Sequence, residues 1–219
     1  MKLFFLVIAG AVLLGLLLKG RVSRLDSLRP HWWGLVLIGL GLQFVPLPEG
    51  TSGKDLVLRT IVLAISYGLL LTFAAANLRM TGVSLILAGL TMNAAVIVAN
   101  GGMPVNADTL RTSGQDDVLA WLETQGADKH HLMTEDDQLT FLADVIPVPQ
   151  PIGQAISIGD VFIYAGLMWA IVAAMRGRTL SPSSAGWGPY RGRHRPGEAP
   201  APVPDLGFLP ATTRSGIGR

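Results

Sequence analysis

The chain has 219 residues, lacks cysteine and carries little charge. Without cysteine it cannot form a disulfide, a thiolate metal site or a cysteine nucleophile. Charged residues make up 15% of the chain, whereas soluble domains contain about 25%, so an ordinary water-soluble enzyme is not expected. The formal net charge of +2 is too small to indicate nucleic-acid binding, and we expect no nucleic-acid partner.

The chain contains several long apolar stretches. Hydrophobic residues make up 50% of the chain, and its mean hydropathy is +0.46. A helix that crosses the hydrocarbon core of a bilayer needs roughly 17–25 residues. The stretches that reach or approach this length are Leu3–Leu18, His31–Leu47, Leu56–Ala76, Gly82–Ala99 and Val161–Met175. They predict an all-α integral membrane bundle of five transmembrane helices, with the lipid bilayer as a partner.

The distribution of Lys and Arg predicts how this bundle lies in the cell membrane. The long loop from Asn100 to Ser157 carries nine acidic and only two basic residues. With five spans, the basic segments fall on the other side, and they contain Lys19, Arg21, Arg24, Arg29, Arg79, Arg176, Arg178, Arg191, Arg193 and Arg195. Because basic segments stay in the cytoplasm, the N-terminus is predicted outside and the C-terminus inside.

These boundaries predict four regions. Residues 1–99 hold four transmembrane helices, residues 100–157 form an extracytoplasmic acidic loop or cap, and residues 158–176 form the fifth transmembrane helix. Residues 177–219 contain seven prolines and eight glycines, a composition that predicts a disordered cytoplasmic tail. Such a tail is suited to binding along a protein partner.

The outer loop has helix and extended-chain patterns of its own. Residues Gln115–Gln125 predict one helix, and Thr134 with Asp137 resembles the capping box of a second. The apolar side chains assigned to the two helices are Val118, Trp121, Leu122, Leu139, Phe141 and Leu142. The three prolines within Val145–Pro151 predict an extended strap. A helical cap on the outer membrane face is the preferred interpretation, and a mobile acidic loop is the alternative.

Small and polar residues inside the spans predict how the helices pack. Asn93 lies near the middle of the fourth span, where an interhelical hydrogen bond is its expected role. Small residues at four-residue spacing let helix backbones approach closely. These sets are Ala11/Gly15, Ala64/Gly68, Ser84/Ala88, Ala95/Ala99 and Gly166/Ala170/Ala174.

Polar residues at the outer ends of the spans form the candidate site. Asn100 ends the fourth span, Asp160 begins the fifth, and Asp144 precedes the proline strap, so all three can meet over the bundle. Arg59, near the outer end of the third span, is the nearest basic residue by topology. The alternative is structural: Ser157 and Asp160 cap the fifth helix, and Asp144 caps amides of the strap.

The sequence gives little indication of a catalytic, cofactor-binding or metal-binding site. The sequence contains no G-x-S-x-G motif, Walker lysine loop or H-E-x-x-H motif, so no catalytic residue, cofactor or metal site is assigned. A cation could bind the cluster of Asp128, His130, His131, Glu135, Asp136 and Asp137. Adjacent histidines share no helix face, however, so solvated acids are the preferred interpretation.

Three short motifs flank the outer loop: Asn100-Gly-Gly-Met-Pro-Val105, Asp144-Val-Ile-Pro147 and Ser157-Ile-Gly-Asp-Val161. In this order they resemble those of an uncharacterised family of small bacterial multi-pass membrane proteins, a domain of unknown function. The resemblance covers about residues 1–176 and excludes the tail. It implies a multi-span helical fold and brings no known activity, cofactor or catalytic residue.

Three functions remain open at this level. The preferred hypothesis is a non-catalytic structural or accessory subunit of a bacterial membrane complex. The second is a small-molecule or ion binding and transport protein with its site at the outer face. The third is a membrane enzyme acting on a lipid or envelope substrate, in which Asp144 and Asp160 would serve as acid and base.

Overall fold

The computed structural model describes residues 2–46, 53–125 and 129–178. Within these ranges the chain is mostly helical. The α-helices are α1 (Lys2–Leu17), α2 (Trp33–Leu42), α3 (Gly53–Ala76), α4 (Val83–Asn100), α5 (Ala107–Ser113), α6 (Asp116–Gln125) and α7 (Ile158–Met175). Short 3-10 helices cover Val22–Ser27 and Thr140–Leu142. The predicted tail lies almost wholly outside the described residues.

The helices α3, α4 and α7 are long and apolar enough to cross a membrane. The other two predicted spans are shorter: α1 has 16 residues and α2 has 10. For α2 the predicted extent to Leu47 is wrong, because the chain tightens after Leu42 into 3-10 turns, with the amide of Phe44 bonded to the carbonyl of Gly41 at 3.0 Å. Pro46 follows, and proline has no amide proton with which to continue a helix; Leu47 itself lies outside the described residues.

The centre of the bundle is the crossing of α4 and α7, where glycines let the backbones touch. A Cβ added at Gly166 would come within 2.6 Å of the Gly82 carbonyl oxygen, and one at Gly159 would come within 2.7 Å of the Gly89 carbonyl oxygen. The close approach therefore uses Gly82, the residue before α4, and Gly89 on α4. Ser84, which the sequence predicts at a close contact, is exposed. Helices α1 and α3 pack on either side, and α2 packs on α3.

The segment between α4 and α7, residues 101–157, forms a cap over one end of the bundle. Four three-residue strands lie in it: β1 (Met103–Val105), β2 (His130–Leu132), β3 (Ile146–Val148) and β4 (Gln154–Ile156). Strands β1 and β2 pair in parallel, and β3 and β4 form an antiparallel hairpin. The prediction of an all-α fold is therefore wrong in the cap, although the strap is extended as expected.

The cap has a small apolar core of its own. Val105, Leu110, Leu119 and Leu122 are buried together. The helix predicted over Gln115–Gln125 is present as α6, but its buried face is turned toward Leu119, while Val118 and Trp121 are 40% and 38% exposed.

The second helix predicted in the cap is absent from the described residues. Asp137 accepts a hydrogen bond from the Thr134 amide at 2.7 Å, so the carboxylate closes a turn instead of opening an α-helix. Only the 3-10 turn Thr140–Leu142 follows, and Phe141 is 64% exposed.

The two ends of the bundle differ in charge. The end away from the cap carries Lys19, Arg21, Arg24, Arg29, Arg79, Arg176 and Arg178. These residues share one end because the Arg21 amide donates to the Met175 carbonyl at 2.9 Å and the Thr81 hydroxyl donates to the Arg178 carbonyl at 3.3 Å. The acidic cap is at the opposite end. Basic and acidic segments are thus segregated by the fold itself.

Candidate functional site

Asp144 is fixed by main-chain bonds at the base of the cap. Its amide donates to the Pro104 carbonyl at 3.1 Å, and its carbonyl accepts from the Asn106 amide at 3.2 Å. These bonds extend the pairing of β1 by one parallel bridge, between Val105 and Asp144. The side chain therefore projects from a backbone that is held on both sides.

The Asp144 carboxylate is buried and incompletely paired. The residue is 6% exposed, and its Oδ1 has no hydrogen-bond partner among the described residues. Its Oδ2 lies 3.8 Å from Nε2 of His130. Burial, together with the nearby Asp160 carboxylate, raises the pKa of Asp144 well above its usual value. A buried polar atom without a partner costs free energy, so this oxygen is suited to receive a ligand or a proton.

Asp160 belongs to a closed hydrogen-bonded ring that joins α4 to α7. Its Oδ1 accepts from the Asn93 carboxamide at 2.8 Å, and the Ser157 hydroxyl donates to Oδ1 of Asn93 at 2.9 Å. The ring closes through the capping box of α7: the Asp160 amide donates to Ser157 Oγ at 3.0 Å, and the Ser157 amide donates to Asp160 Oδ2 at 3.2 Å. Asp160 thus has the structural role that its position suggests, and it also contacts Asn93 on the neighbouring helix.

Asp144 and Asp160 line one cavity of about 130 Å³ between the cap and the bundle. Its lining combines residues of the bundle with residues of the cap: Gln43, Leu63, Tyr67, Asn93, Ile97, Met103, Lys129, His130, Asp144 and Asp160. The polar groups outnumber the apolar ones. The cavity is therefore a polar chamber that reaches from the cap into the apolar part of the bundle.

The other two predicted site residues lie elsewhere. Asn100 fastens the cap loop: its Nδ2 donates to the Gln138 carbonyl at 2.9 Å, and its Oδ1 accepts from the Gln138 amide at 2.8 Å. Arg59 is buried, and its Nε donates to the Gly101 carbonyl at 3.2 Å. Neither residue lines the cavity. The structure thus brings Asp144 and Asp160 to one chamber and gives Asn100 and Arg59 other contacts at its periphery.

The histidines of the cap have separate partners. Nε2 of His131 lies 2.9 Å from Oδ1 of Asp137, whereas His130 faces Asp144. Although burial opposes the shift, hydrogen bonds from His131 and from the Thr134 amide hold the pKa of Asp137 below its usual value. No group of three or more metal-ligating side chains occurs among residues 2–46, 53–125 and 129–178. Asp128, part of the cation cluster weighed from the sequence, lies outside the described residues.

The candidate site predicted from the sequence did not include four polar residues of the chamber: Gln43, Tyr67, Lys129 and His130. Of these, His130 was weighed only as a member of the cation cluster. Lys129 and His130 reach it because β2 pairs with β1, with His130 opposite Met103. Strands of three residues carry no readable periodicity, so this pairing has no sequence signature. Gln43 and Tyr67 are polar residues inside predicted spans, and that unusual position is the indication that could have identified them.

The fold and the chamber together define a class: a helical-bundle protein with membrane-length apolar helices and a capped polar cavity at one end. The chain belongs to a family of unknown function, DUF5317, whose model matches residues 29–172. The match confirms the resemblance to an uncharacterised family. It begins 28 residues later than the residue 1 expected from the motifs, and it excludes the tail as expected. No curated protein and no solved structure matches the chain.

Proposed function

We propose that this chain is a multi-pass protein of the cell membrane that binds a small cation in the chamber at its outer face. The observation that carries the proposal is the buried Asp144 carboxylate, one oxygen of which has no hydrogen-bond partner in the described part of the chain. A second carboxylate lines the same cavity. The five-span arrangement, with the N-terminus outside and the C-terminus in the cytoplasm, is part of the proposal.

The charge of the chamber favours a cation. Two carboxylates line it against one cationic side chain, that of Lys129, so one negative charge stays uncompensated when both carboxylates are ionised. Asp160 shares its oxygens with neutral donors, the Asn93 carboxamide and the Ser157 amide. Two close carboxylates do not both stay ionised without a compensating positive charge. A bound cation would supply that charge and a partner for Oδ1 of Asp144, and a proton would take its place when the cation leaves.

The ligand set favours a monovalent or organic cation over a chelated metal. The described residues offer no cluster of three metal-ligating side chains, whereas divalent metals in proteins take about four to eight ligands. Gln43 and Tyr67, whose side chains carry a carboxamide and a hydroxyl group, line the chamber beside the carboxylates. Such a mixture suits an ammonium group, which donates several hydrogen bonds in different directions.

Thermal unfolding in lipid nanodiscs tests the cation site. Sodium, potassium, ammonium and methylammonium chlorides are added separately to the wild type, to Asp144→Asn and to Asp117→Asn, a matched control on an exposed acid of the cap. A cation at about 100 times its Kd should raise Tm by about 5–10 °C in the wild type and the control but not in Asp144→Asn. If no cation stabilises the wild type more than Asp144→Asn, the proposed site is wrong.

Cysteine labelling tests the proposed orientation, since the chain has no native cysteine. Asp117→Cys places a thiol on the exposed cap, and Arg79→Cys places one at the opposite end of the bundle. In intact cells an impermeant maleimide should label the first and not the second, while both should react after the membrane is permeabilised. The reverse pattern would place the cap inside.

A non-catalytic accessory subunit of a membrane complex is the second candidate. The observation that favours it is α2, whose 10 residues span about 15 Å, half of the hydrocarbon core. Its outer face leaves Leu37 and Ile38 about 60% exposed. A partner recovered at fixed stoichiometry that is lost in a folded Leu37→Ser/Ile38→Ser variant would support this role; an unchanged partner, or none, would contradict it.

A further inference from the structure

A second cavity lies within the cap, on the outward side of Asp144. Its volume is about 340 Å³. One wall is α6, which contributes Val118, Trp121 and Leu122, and the opposite wall is the turn of the β3–β4 hairpin at Ile152 and Gly153. We call it the cap groove. Most of its lining residues are apolar, together with the polar Gln115 and Gln154, whereas most lining residues of the chamber are polar.

The chamber and the cap groove meet at the same two side chains. Asp144 and His130 line both cavities. The 3.8 Å pair that they form therefore lies between two compartments. The first is the chamber, where most lining residues are polar, and the second is the cap groove, where most are apolar. One ligand in contact with Asp144 can place a polar group in the first compartment and an apolar group in the second.

We propose that the ligand is an organic monoamine, with its ammonium group on Asp144 and its apolar substituent in the cap groove against Trp121. This inference rests on the proposed function and names the ligand class of the same site. The ammonium group would donate to Oδ1 of Asp144, which has no other partner among the described residues. The substituent would cover the indole of Trp121, which is 38% exposed although it lines a concave surface.

Charge at the groove restricts the ligand further. Lys2, at the start of α1, also lines the cap groove. Its ammonium group disfavours a second positive charge on the substituent, because like charges repel in a partly enclosed site. A monoamine is therefore favoured over a diamine of the same length. A carboxylic acid is disfavoured by Asp144 and Asp160.

The test compares amines of increasing apolar size with the full chain in nanodiscs of zwitterionic lipid. Isothermal titration calorimetry is run with methylammonium, butylammonium and phenethylammonium, with 1,4-butanediammonium as the diamine and with phenethyl alcohol as the uncharged analogue. Empty nanodiscs correct for partition into lipid. We expect phenethylammonium to bind at least about tenfold more tightly than methylammonium, since it buries an aromatic ring as well as the ammonium group. Phenethyl alcohol and the diamine should bind more weakly than their monoamine counterparts.

Variants separate the two compartments. Trp121→Ala should weaken phenethylammonium about tenfold and leave methylammonium unchanged, which also shows that the variant is folded. Phe141→Ala, an exposed aromatic of the cap outside the groove, is the matched control and should change neither. Asp144→Asn should weaken every amine.

The outcomes distinguish this inference from the function on which it rests. If methylammonium binds in an Asp144-dependent manner while larger amines bind no more tightly, or Trp121→Ala changes nothing, the assignment of the groove is overturned and the cation site stands. If no amine shows binding that depends on Asp144 and no inorganic cation does either, both are overturned.

Discussion

The bundle and the cap are held together in different ways, although one chain segment leads directly into the other. In the bundle, long helices touch through glycines, and the ring of Asn93, Ser157 and Asp160 joins two of them. In the cap, elements of three to ten residues surround a small apolar core. Helix contacts in a bilayer depend on close approach and a few polar bonds, whereas a domain in water depends on burial of apolar area. The site lies where these two kinds of packing meet.

The largest expected effect concerns the cap core. Leu110 is 2% exposed, whereas Trp121 is 38% exposed. Leu110→Ala should destabilise the cap by about 2–5 kcal/mol, and Trp121→Ala by about 1 kcal/mol or less, because its ring faces an open groove. Limited proteolysis and hydrogen exchange of residues 103–125 measure the difference. Equal protection in the two variants would mean that the cap does not depend on this core.

A smaller effect is expected at the crossing of α4 and α7. A Cβ at Gly159 would collide with the Asn93 carboxamide oxygen, whereas a Cβ at Gly68 on α3 would meet nothing within 4 Å. Gly159→Ala should therefore lower the free energy of unfolding by about 1–3 kcal/mol through overpacking. Gly68→Ala should leave it unchanged or raise it slightly. Thermal unfolding in the same nanodiscs compares them. If Gly68→Ala lowered Tm as much as Gly159→Ala, close backbone approach would not be what holds the bundle together.

These two regions also differ in how far the sequence predicts them. The apolar runs identify α3, α4 and α7 because they are long and nearly free of charge. The same reasoning overextends α2, where Gly39, Gly41 and Pro46 weaken or end the helix within an apolar segment. Where the cap leads into α7, Ser157 and Asp160 follow a local capping rule and are predicted correctly as caps of that helix. The parallel pairing of Met103 with His130 follows no local rule, so the part of the chamber that the cap forms could not be predicted.

The polar ring of the bundle gives the next smaller effect. Asn93→Ala removes the donor to Asp160 and the acceptor of the Ser157 hydroxyl. Interhelical hydrogen bonds in membranes contribute about 0.6 kcal/mol on average and up to about 1.7, so the two bonds together should contribute about 1–2 kcal/mol. Thr91→Ala is the matched control, since its hydroxyl bonds only to the Leu87 carbonyl of its own helix. A change in Tm no larger for Asn93→Ala than for Thr91→Ala would show that the ring adds no stability.

The smallest effect concerns pH and the turn that closes on Asp137. Its pKa lies below the usual value because the His131 ring and the Thr134 amide bond to the ionised form more than burial disfavours it. A carboxylate whose folded pKa is lowered stabilises the fold fully above its unfolded pKa of about 4, and this contribution is lost as pH falls through the folded pKa. Hydrogen-exchange protection of residues 129–142 should therefore decrease between about pH 5 and pH 3 in the wild type. Asp137→Asn keeps a hydrogen-bond acceptor but cannot titrate. Protection of residues 129–142 in this variant should therefore be lower than in the wild type at pH 5 and should change less on acidification. Asp136→Asn, on the exposed neighbour, should follow the wild type. If the three proteins lose protection in parallel, the low pKa of Asp137 does not stabilise the turn, and other groups of the cap account for its response to acid.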